Sequence, residues 1–180
     1  MAHPPHIALL RGINVGGKNK LLMRELVALF EVAGATDVRT YIQSGNVVFR
    51  ASATTVKRIP KTVADAIAKQ HGLDVPVVLR SASEWCKAIE RNPLRGTPDD
   101  AKQLYVGFLA TKPTAAALKQ LDPDRSPGDT FAVVGREVYV RCPDGVARTK
   151  LTNQYFDSRL KTISTFRNWK TTLKLAELLE

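Results

Sequence analysis

Short apolar runs alternate along this chain with longer stretches of helical spacing, which predicts strands and helices in a regular order. The run at 6–10 predicts a buried strand, and the helix that follows it has one apolar face and ends at Gly34. Two further strands at 38–43 and 47–50 are separated by Ser44-Gly45-Asn46, a composition typical of a tight hairpin turn. The predicted order of elements in the first quarter of the chain is therefore β-α-β-β.

The next segment completes one structural unit. Pro60 is predicted to occupy the first turn of a second helix, Gly72 to follow its end, and residues 75–79 to form a fourth strand. The resulting order, β-α-β-β-α-β, is the split βαβ arrangement of ferredoxin-like folds.

The same order of elements recurs in the second half. A short helix capped by Ser83 and a linker at 92–100 separate the halves. Strands are then predicted at 104–110, 130–134, 138–141 and 162–165, helices at 115–121 and 152–160, and a terminal helix from about Asn168. We therefore predict an α+β fold of two ferredoxin-like halves, 1–92 and 93–180, with antiparallel sheets and an extra C-terminal helix. We find no residue-level identity between the halves, so the repeat is one of element order.

The composition predicts a folded cytoplasmic protein. The 180 residues are 44% hydrophobic, and no apolar run approaches the length of about 18 residues that a membrane-spanning helix needs. Cys86 and Cys142 lie far apart, which indicates two small buried side chains rather than a disulfide framework or a zinc site. We expect no metal and no cofactor.

The formal charge of +10 is concentrated in two segments. Residues 11–24 carry +4 with no acidic residue, and residues 146–174 carry +6 from seven basic residues and one acid. The rest of the chain is balanced. Localised positive charge is compatible with an anionic partner, although solvated lysines without a ligand give the same pattern.

A glycine-rich loop follows the first strand. Residues 12–18 match the phosphate-loop spacing G-x-x-x-x-G-K, but Asn19 stands where Ser or Thr would hold Mg²⁺. The hairpin-rich element order also differs from the parallel sheet of nucleotide hydrolases, which argues against that class. Two interpretations remain: the glycines only permit the turn, or the loop amides form a nest that cradles an anion.

Topology favours a polar corner at this loop. In a split βαβ unit the first two strands are parallel, so the loop after the first strand and the hairpin after the second lie at one end of the sheet. The candidate ligand-binding residues are Arg11, Gly12, Asn14, Gly16, Gly17, Lys18, Gln43, Ser44 and Asn46. By the same argument a second basic corner is predicted from Arg148, Lys150, Arg167 and Asn168.

No residue pattern nominates a catalytic centre. The histidines lack metal-ligand spacing, and no nucleophile elbow or paired-carboxylate pattern is present. An RNA-recognition module would need aromatic residues on its central strands, whereas the third strand carries only Phe49 and the first carries none. Any contact with nucleic acid would therefore be with the phosphate backbone.

Four segments carry a resemblance to a known family. Residues 7–18, 40–49, 145–153 and 167–169 together resemble the bacterial family named domain of unknown function 1697. The resemblance implies a duplicated ferredoxin-like architecture and no established activity. Ala147 and Lys170 depart from the glycine and asparagine expected at those positions.

Three hypotheses follow. The first is a binding module that captures an anionic small molecule or a nucleic-acid backbone at the Arg11–Lys18 loop. The second is an enzyme that acts on a phosphorylated small molecule at the same corner. The third is an interaction or scaffold domain without a dedicated ligand. The sequence does not define the oligomeric state.

Overall fold

The computed structural model describes residues 3–96 and 101–180, so residues 97–100 of the predicted linker lie outside the described residues. In the described part of the chain, two four-stranded antiparallel sheets and six helices form an α+β fold in two similar halves. The chain divides into two compact units, Met1–Cys86 with Leu175–Glu180 (unit 1) and Lys87–Lys174 (unit 2).

The first half follows the predicted element order. Its elements are β1 Pro5–Leu10, α1 Met23–Val32, β2 Thr36–Tyr41, β3 Asn46–Arg50, α2 Ala53–His71, β4 Val77–Ser81 and α3 Ala82–Glu90. The sheet order is β2-β3-β1-β4 and every pairing is antiparallel, which makes β1 and β2 parallel. Apolar residues of α1 and α2 pack on one face of this sheet, around the buried side chains of Leu10, Val47 and Phe49.

The second half repeats the order. Its elements are β5 Leu104–Leu109, α4 Ala115–Leu118, β6 Thr130–Val134, β7 Glu137–Arg141, α5 Asn153–Leu160, β8 Ser164–Asn168 and α6 Trp169–Glu177. The sheet order β6-β7-β5-β8 is the counterpart of that in the first half. Each half is thus β-α-β-β-α-β followed by one helix, so α3 is the counterpart of the predicted extra helix, α6.

The register of the strands identifies equivalent residues in the two halves. Ala8 lies opposite Leu79 in unit 1, and Gly107 lies opposite Phe166 in unit 2. The next residue of the last strand is arginine in both halves, Arg80 and Arg167, and each donates through Nη1 to the carbonyl of the preceding residue, at 2.7 and 2.8 Å. Both arginines are at least 90% buried. The duplication therefore retains an identity that the sequence alone did not reveal.

Two predicted helix starts are wrong. Helix α2 begins seven residues before Pro60, because the Ser52 hydroxyl accepts a 3.2 Å hydrogen bond from the Thr55 amide and caps the helix there. Helix α3 is capped by Ser81 rather than Ser83. The Glu84 carboxylate accepts from the Ser81 amide at 2.8 Å while the Ser81 hydroxyl accepts from the Glu84 amide at 3.3 Å, which is a capping box.

The predicted strand at 75–79 lies two residues too early. Pro76 has no amide hydrogen to donate to a neighbouring strand, so pairing with β1 begins at Val77. In the last strand, predicted at 162–165, pairing with β5 likewise extends to Asn168. Cys86 is exposed, contrary to prediction, because Trp85 and Ala88 form the buried face of α3, whereas Cys142 is buried as predicted.

Candidate functional site

The loop between β1 and α1 contains a short hairpin. The Lys18 amide donates a 3.0 Å hydrogen bond to the Val15 carbonyl, which closes a two-residue turn. The turn residues Gly16 and Gly17 have φ of 57° and 74°, positive values that favour glycine and are typical of a type I′ turn. The hairpin tip is exposed to solvent.

Asn14 ties this hairpin to the rest of unit 1. Its Nδ2 donates to the Leu21 carbonyl at 2.9 Å and to the Gln43 carbonyl at 2.8 Å, and its Oδ1 accepts from the Leu21 amide at 2.9 Å. Its own amide donates 3.0 Å to the Asn19 carbonyl. Because β1 and β2 are parallel, the loop meets the β2–β3 turn here. The shape of the loop is thus fixed by an asparagine amide rather than by glycine alone.

The prediction that the loop amides are available to bind an anion is wrong for three of them. The amides of Arg11, Asn14 and Lys18 all donate to main-chain carbonyls of the fold. The acceptors are Pro76, Asn19 and Val15, respectively, at 3.1, 3.0 and 3.0 Å. These amides are occupied by hydrogen bonds that hold the hairpin and the adjacent strand. Attraction for an anion at this loop must therefore come mainly from its charged side chains.

The β2–β3 turn also has a structural role. Gly45 is buried, and its carbonyl accepts a 2.8 Å hydrogen bond from the Leu10 amide. A Cβ at Gly45 would lie 2.7 Å from the Leu10 Cβ, so the close approach requires glycine. Asn46 is fully buried and donates to the Tyr41 carbonyl at 3.1 Å and the Ser44 hydroxyl at 2.9 Å. Of the residues predicted after β2, Gln43 has an exposed side chain.

The charged side chains of the loop remain at the surface. Lys18, Lys20 and Arg24 are exposed, and Arg11 is half-buried. Glu25 is the first acidic residue after the loop, and its carboxylate lies 3.8 Å from His71 Nε2 on α2. The segment 11–24 therefore presents positive charge on a shaped, accessible hairpin.

The residues of the second predicted basic corner do not all lie on the same side of the sheet. Arg148 and Lys150 are exposed in the segment between β7 and α5. Arg167 is 9% exposed, donates to the Thr165 hydroxyl at 2.9 Å, and projects from the opposite face of β8 to Phe166. Burial lowers the pKa of Arg167 to about 10. Asn168 caps α6 by accepting from the Thr171 amide at 2.7 Å. The structure does not bring Arg167 together with Arg148 and Lys150.

Sequence reasoning missed a cavity of about 280 Å³ in unit 2. It lies among residues of β5, β7, β8 and the segment that joins β7 to α5. One sequence signal points to it: the connection before α5 is much longer than the one before α2.

Metal binding and membrane insertion receive no support from the described residues. Within 3–96 and 101–180, no group of three or more His, Cys, Asp or Glu side chains is arranged to hold a metal ion. In those same ranges every helix is too short or too polar to span a bilayer.

The fold and loop define this protein as a tandem of two ferredoxin-like units with a basic hairpin after the first strand. The chain belongs to the family Protein of unknown function (DUF1697), whose model matches residues 4–139. The match includes the N-terminal loop and the β2–β3 turn and stops before the segment that borders the cavity.

One solved structure supports the fold. The conserved bacterial protein SP0830 from Streptococcus pneumoniae is similar with a TM-score of 0.71 and 23% identity, over 98% of this chain and 99% of that chain. A second structure, described as a "putative glycine cleavage system transcriptional repressor", has a TM-score of 0.27 and 11% identity over 93% and 97% of the two chains, too low for any structural argument. No curated protein matches the sequence significantly.

Proposed function

We propose that this protein binds a phosphate-bearing anion, either a small molecule or a nucleic-acid backbone, at residues 11–24, which comprise the loop with its hairpin and the first two residues of α1. The observation that supports the proposal is the combination of four basic side chains, no acidic one, and a hairpin held in a defined shape by Asn14. An ordered loop loses less conformational entropy on binding than a disordered basic tail would.

The physical basis of binding is charge attraction at a solvated surface. At about 4 Å, two unit charges attract by about 1 kcal/mol in water and by about 4 kcal/mol near a protein surface of lower effective dielectric. A few such contacts give an affinity that falls steeply with ionic strength, because exposed charges are screened over about 8–10 Å. Lys18 next to the hairpin tip and Arg11 at its base are the primary contacts, with Gln43 as a neutral hydrogen-bonding neighbour.

The two ligand sources differ in their salt dependence. A single-stranded nucleic-acid backbone that contacts four basic residues loses affinity with a slope of roughly −3 in the logarithm of the association constant against log salt, because each neutralised phosphate releases counterions. A single pyrophosphate releases no condensed counterion atmosphere and gives a shallower slope. Fluorescence anisotropy of a labelled single-stranded oligonucleotide, with unlabelled pyrophosphate as competitor, measures both.

The deciding variant is Lys18→Ala, with Lys57→Ala as a matched control. Lys57 is an exposed lysine on α2 and carries the same charge outside the loop. We expect Lys18→Ala to weaken binding of every anion that the wild type binds by at least threefold at low salt, and Lys57→Ala to leave it unchanged. Equal affinities of the wild type and Lys18→Ala for all of these anions would refute the proposal.

A further inference from the structure

The cavity in unit 2 lies at one end of the core that helix α5 shares with its sheet. Val140, Leu151 and Phe166 form apolar walls, and Tyr105, Thr149 and Asn153 contribute polar atoms. Its volume of about 280 Å³ is just below the roughly 300–1,000 Å³ typical of small-molecule sites. The cavity is therefore large enough for a molecule smaller than a typical drug.

Unit 1 shows which side chain fills the equivalent position there. Phe49 of β3 lies opposite His6 of β1, and Val140 of β7 lies opposite Tyr105 of β5, so Phe49 and Val140 are equivalent in register. The Phe49 ring is fully buried and stacks on His6 with centroids 5.7 Å apart. On β7 of unit 2 an isopropyl group takes the place of this phenyl ring, whereas on β8 Phe166 takes the place of Leu79 and adds a ring.

The connection that borders the cavity is an insertion relative to unit 1. Two residues, 51–52, join β3 to α2, whereas eleven, 142–152, join β7 to α5. The flanking positions are equivalent, since Ser52 and Thr152 both cap the following helix through a side-chain oxygen that accepts from the third helical amide. The nine additional residues include Val146, Thr149 and Leu151 of the cavity lining. The duplicated halves thus differ in both the missing ring and the added segment, at one location.

The charges of the insertion favour an anion. Arg148 and Lys150 are exposed and flank the lining residue Thr149 in sequence, while Asp144 is the one acidic residue of the segment. Outside the segment, Asp129 interacts with the lining residue Cys142, so one carboxylate opposes the two basic side chains. Helix α5 begins at Asn153, a lining residue, and has no acidic residue in its first turn. The positive end of the helix therefore adds to the basic side chains. We propose that this cavity binds a small monocarboxylate with an aromatic body, whose ring lies against Val140 and Phe166 and whose carboxylate lies toward Arg148 and Lys150.

This inference is independent of the proposed function at the N-terminal hairpin. The cavity and all of its lining residues belong to unit 2, whereas residues 11–24 belong to unit 1. Failure of one proposal leaves the other in place.

The test is a titration of the full ¹⁵N-labelled chain, observed by amide chemical shifts. Benzoate is the probe, benzyl alcohol its uncharged analogue, and inorganic phosphate the anion without a ring. We expect saturable shifts at Val140, Thr149 and Phe166, with benzoate at least tenfold tighter than benzyl alcohol and no such shifts with phosphate. Arg148→Ala combined with Lys150→Ala is expected to remove the preference for benzoate.

Two variants that fill the site make the test decisive. Val140→Phe copies the residue of unit 1, and Val146→Trp fills the mouth from a position that is 49% exposed and outside the core. Both are expected to abolish benzoate binding, and Val146→Trp is sufficient if Val140→Phe does not fold. Val32→Phe, at an 87% exposed position on α1, is the control that adds the same ring elsewhere and retains binding. Absence of saturable shifts, equal affinity for benzyl alcohol, the same shifts with phosphate, or full binding by Val146→Trp would each overturn the proposal.

Discussion

The close contact between Gly107 and Phe166 predicts a specific coupling between the two residues. A Cβ added at Gly107 would lie 2.4, 2.6 and 2.8 Å from three ring carbons of Phe166. Favourable carbon contacts lie at about 3.5–4.0 Å, so the ring would have to move by roughly 1 Å. Such a shift costs about 1–3 kcal/mol, and we expect the lower end of this range because Phe166 borders the cavity on one side. We therefore expect Gly107→Ala to lower the free energy of unfolding by that amount.

Unit 1 supplies the compensating substitution. At the equivalent positions it has Ala8 opposite Leu79, so Gly107→Ala combined with Phe166→Leu copies a pair that the fold already accommodates. Phe166→Leu alone is expected to cost about 1 kcal/mol, because the contact of its ring with Phe156, at 5.6 Å between centroids, is lost.

The measurement is a double-mutant cycle by urea denaturation. We expect the double variant to be more stable than the sum of the single effects by about 1–2 kcal/mol, since the added methyl group no longer meets a ring. Single effects that add to within about 0.5 kcal/mol would refute both the contact and the equivalence of the two halves.

Three further predictions concern glycine, asparagine and cysteine positions. Gly45→Ala is expected to lower the free energy of unfolding, measured by urea denaturation, by about 2–3 kcal/mol, because the added Cβ would contact β1 and the φ of Gly45 is 75°. Gly16→Ala is expected to cost about 1 kcal/mol in the same assay, because Gly16 has a φ of 57° but open space around its Cα. Asn14→Asp replaces the donor to two carbonyls by an acceptor and is expected to cost about 1–3 kcal/mol and to accelerate amide exchange in the loop; unchanged exchange would contradict the bracing role. Iodoacetamide at pH 8 is expected to alkylate Cys86 and to spare Cys142 until unfolding, as mass spectrometry would show, since burial raises the pKa of Cys142 to about 11. The unfolded Cys142 thiol ionises near pH 9.0, so its contribution to stability is complete below that pH and is lost as the pH rises through 11, a loss that Cys142→Ala should remove.

Element order was predictable because it depends on local periodicity. Each local pattern predicts the structure of its own segment. Examples are the apolar run before Arg11, the helical stripe ending at Gly34 and the turn around Gly45. The parallel course of β1 and β2 then follows from the order of elements, and it places Asn14 beside the Gln43 carbonyl. Architecture and the neighbourhood of the loop were therefore accessible from sequence.

The hydrogen-bond partners of the loop amides and the position of the cavity were not predictable from local patterns. The three loop amides donate to carbonyls, including that of Pro76, the residue before β4, and no local pattern specifies these acceptors. The equivalence of Arg80 and Arg167 required the strand register. The cavity depends on what lies opposite Tyr105 across the sheet, and on the absence there of the ring that Phe49 supplies in unit 1.

The most direct test of the account is the location of a bound oxyanion. Crystals of the full chain and of Lys18→Ala, soaked in selenate at low ionic strength, can be compared by anomalous difference density. The proposed function predicts a selenium peak within about 4 Å of the Lys18 ammonium in the wild type, and no peak there in the variant. Density confined to other lysines, or a peak at the hairpin that persists in Lys18→Ala, would contradict it.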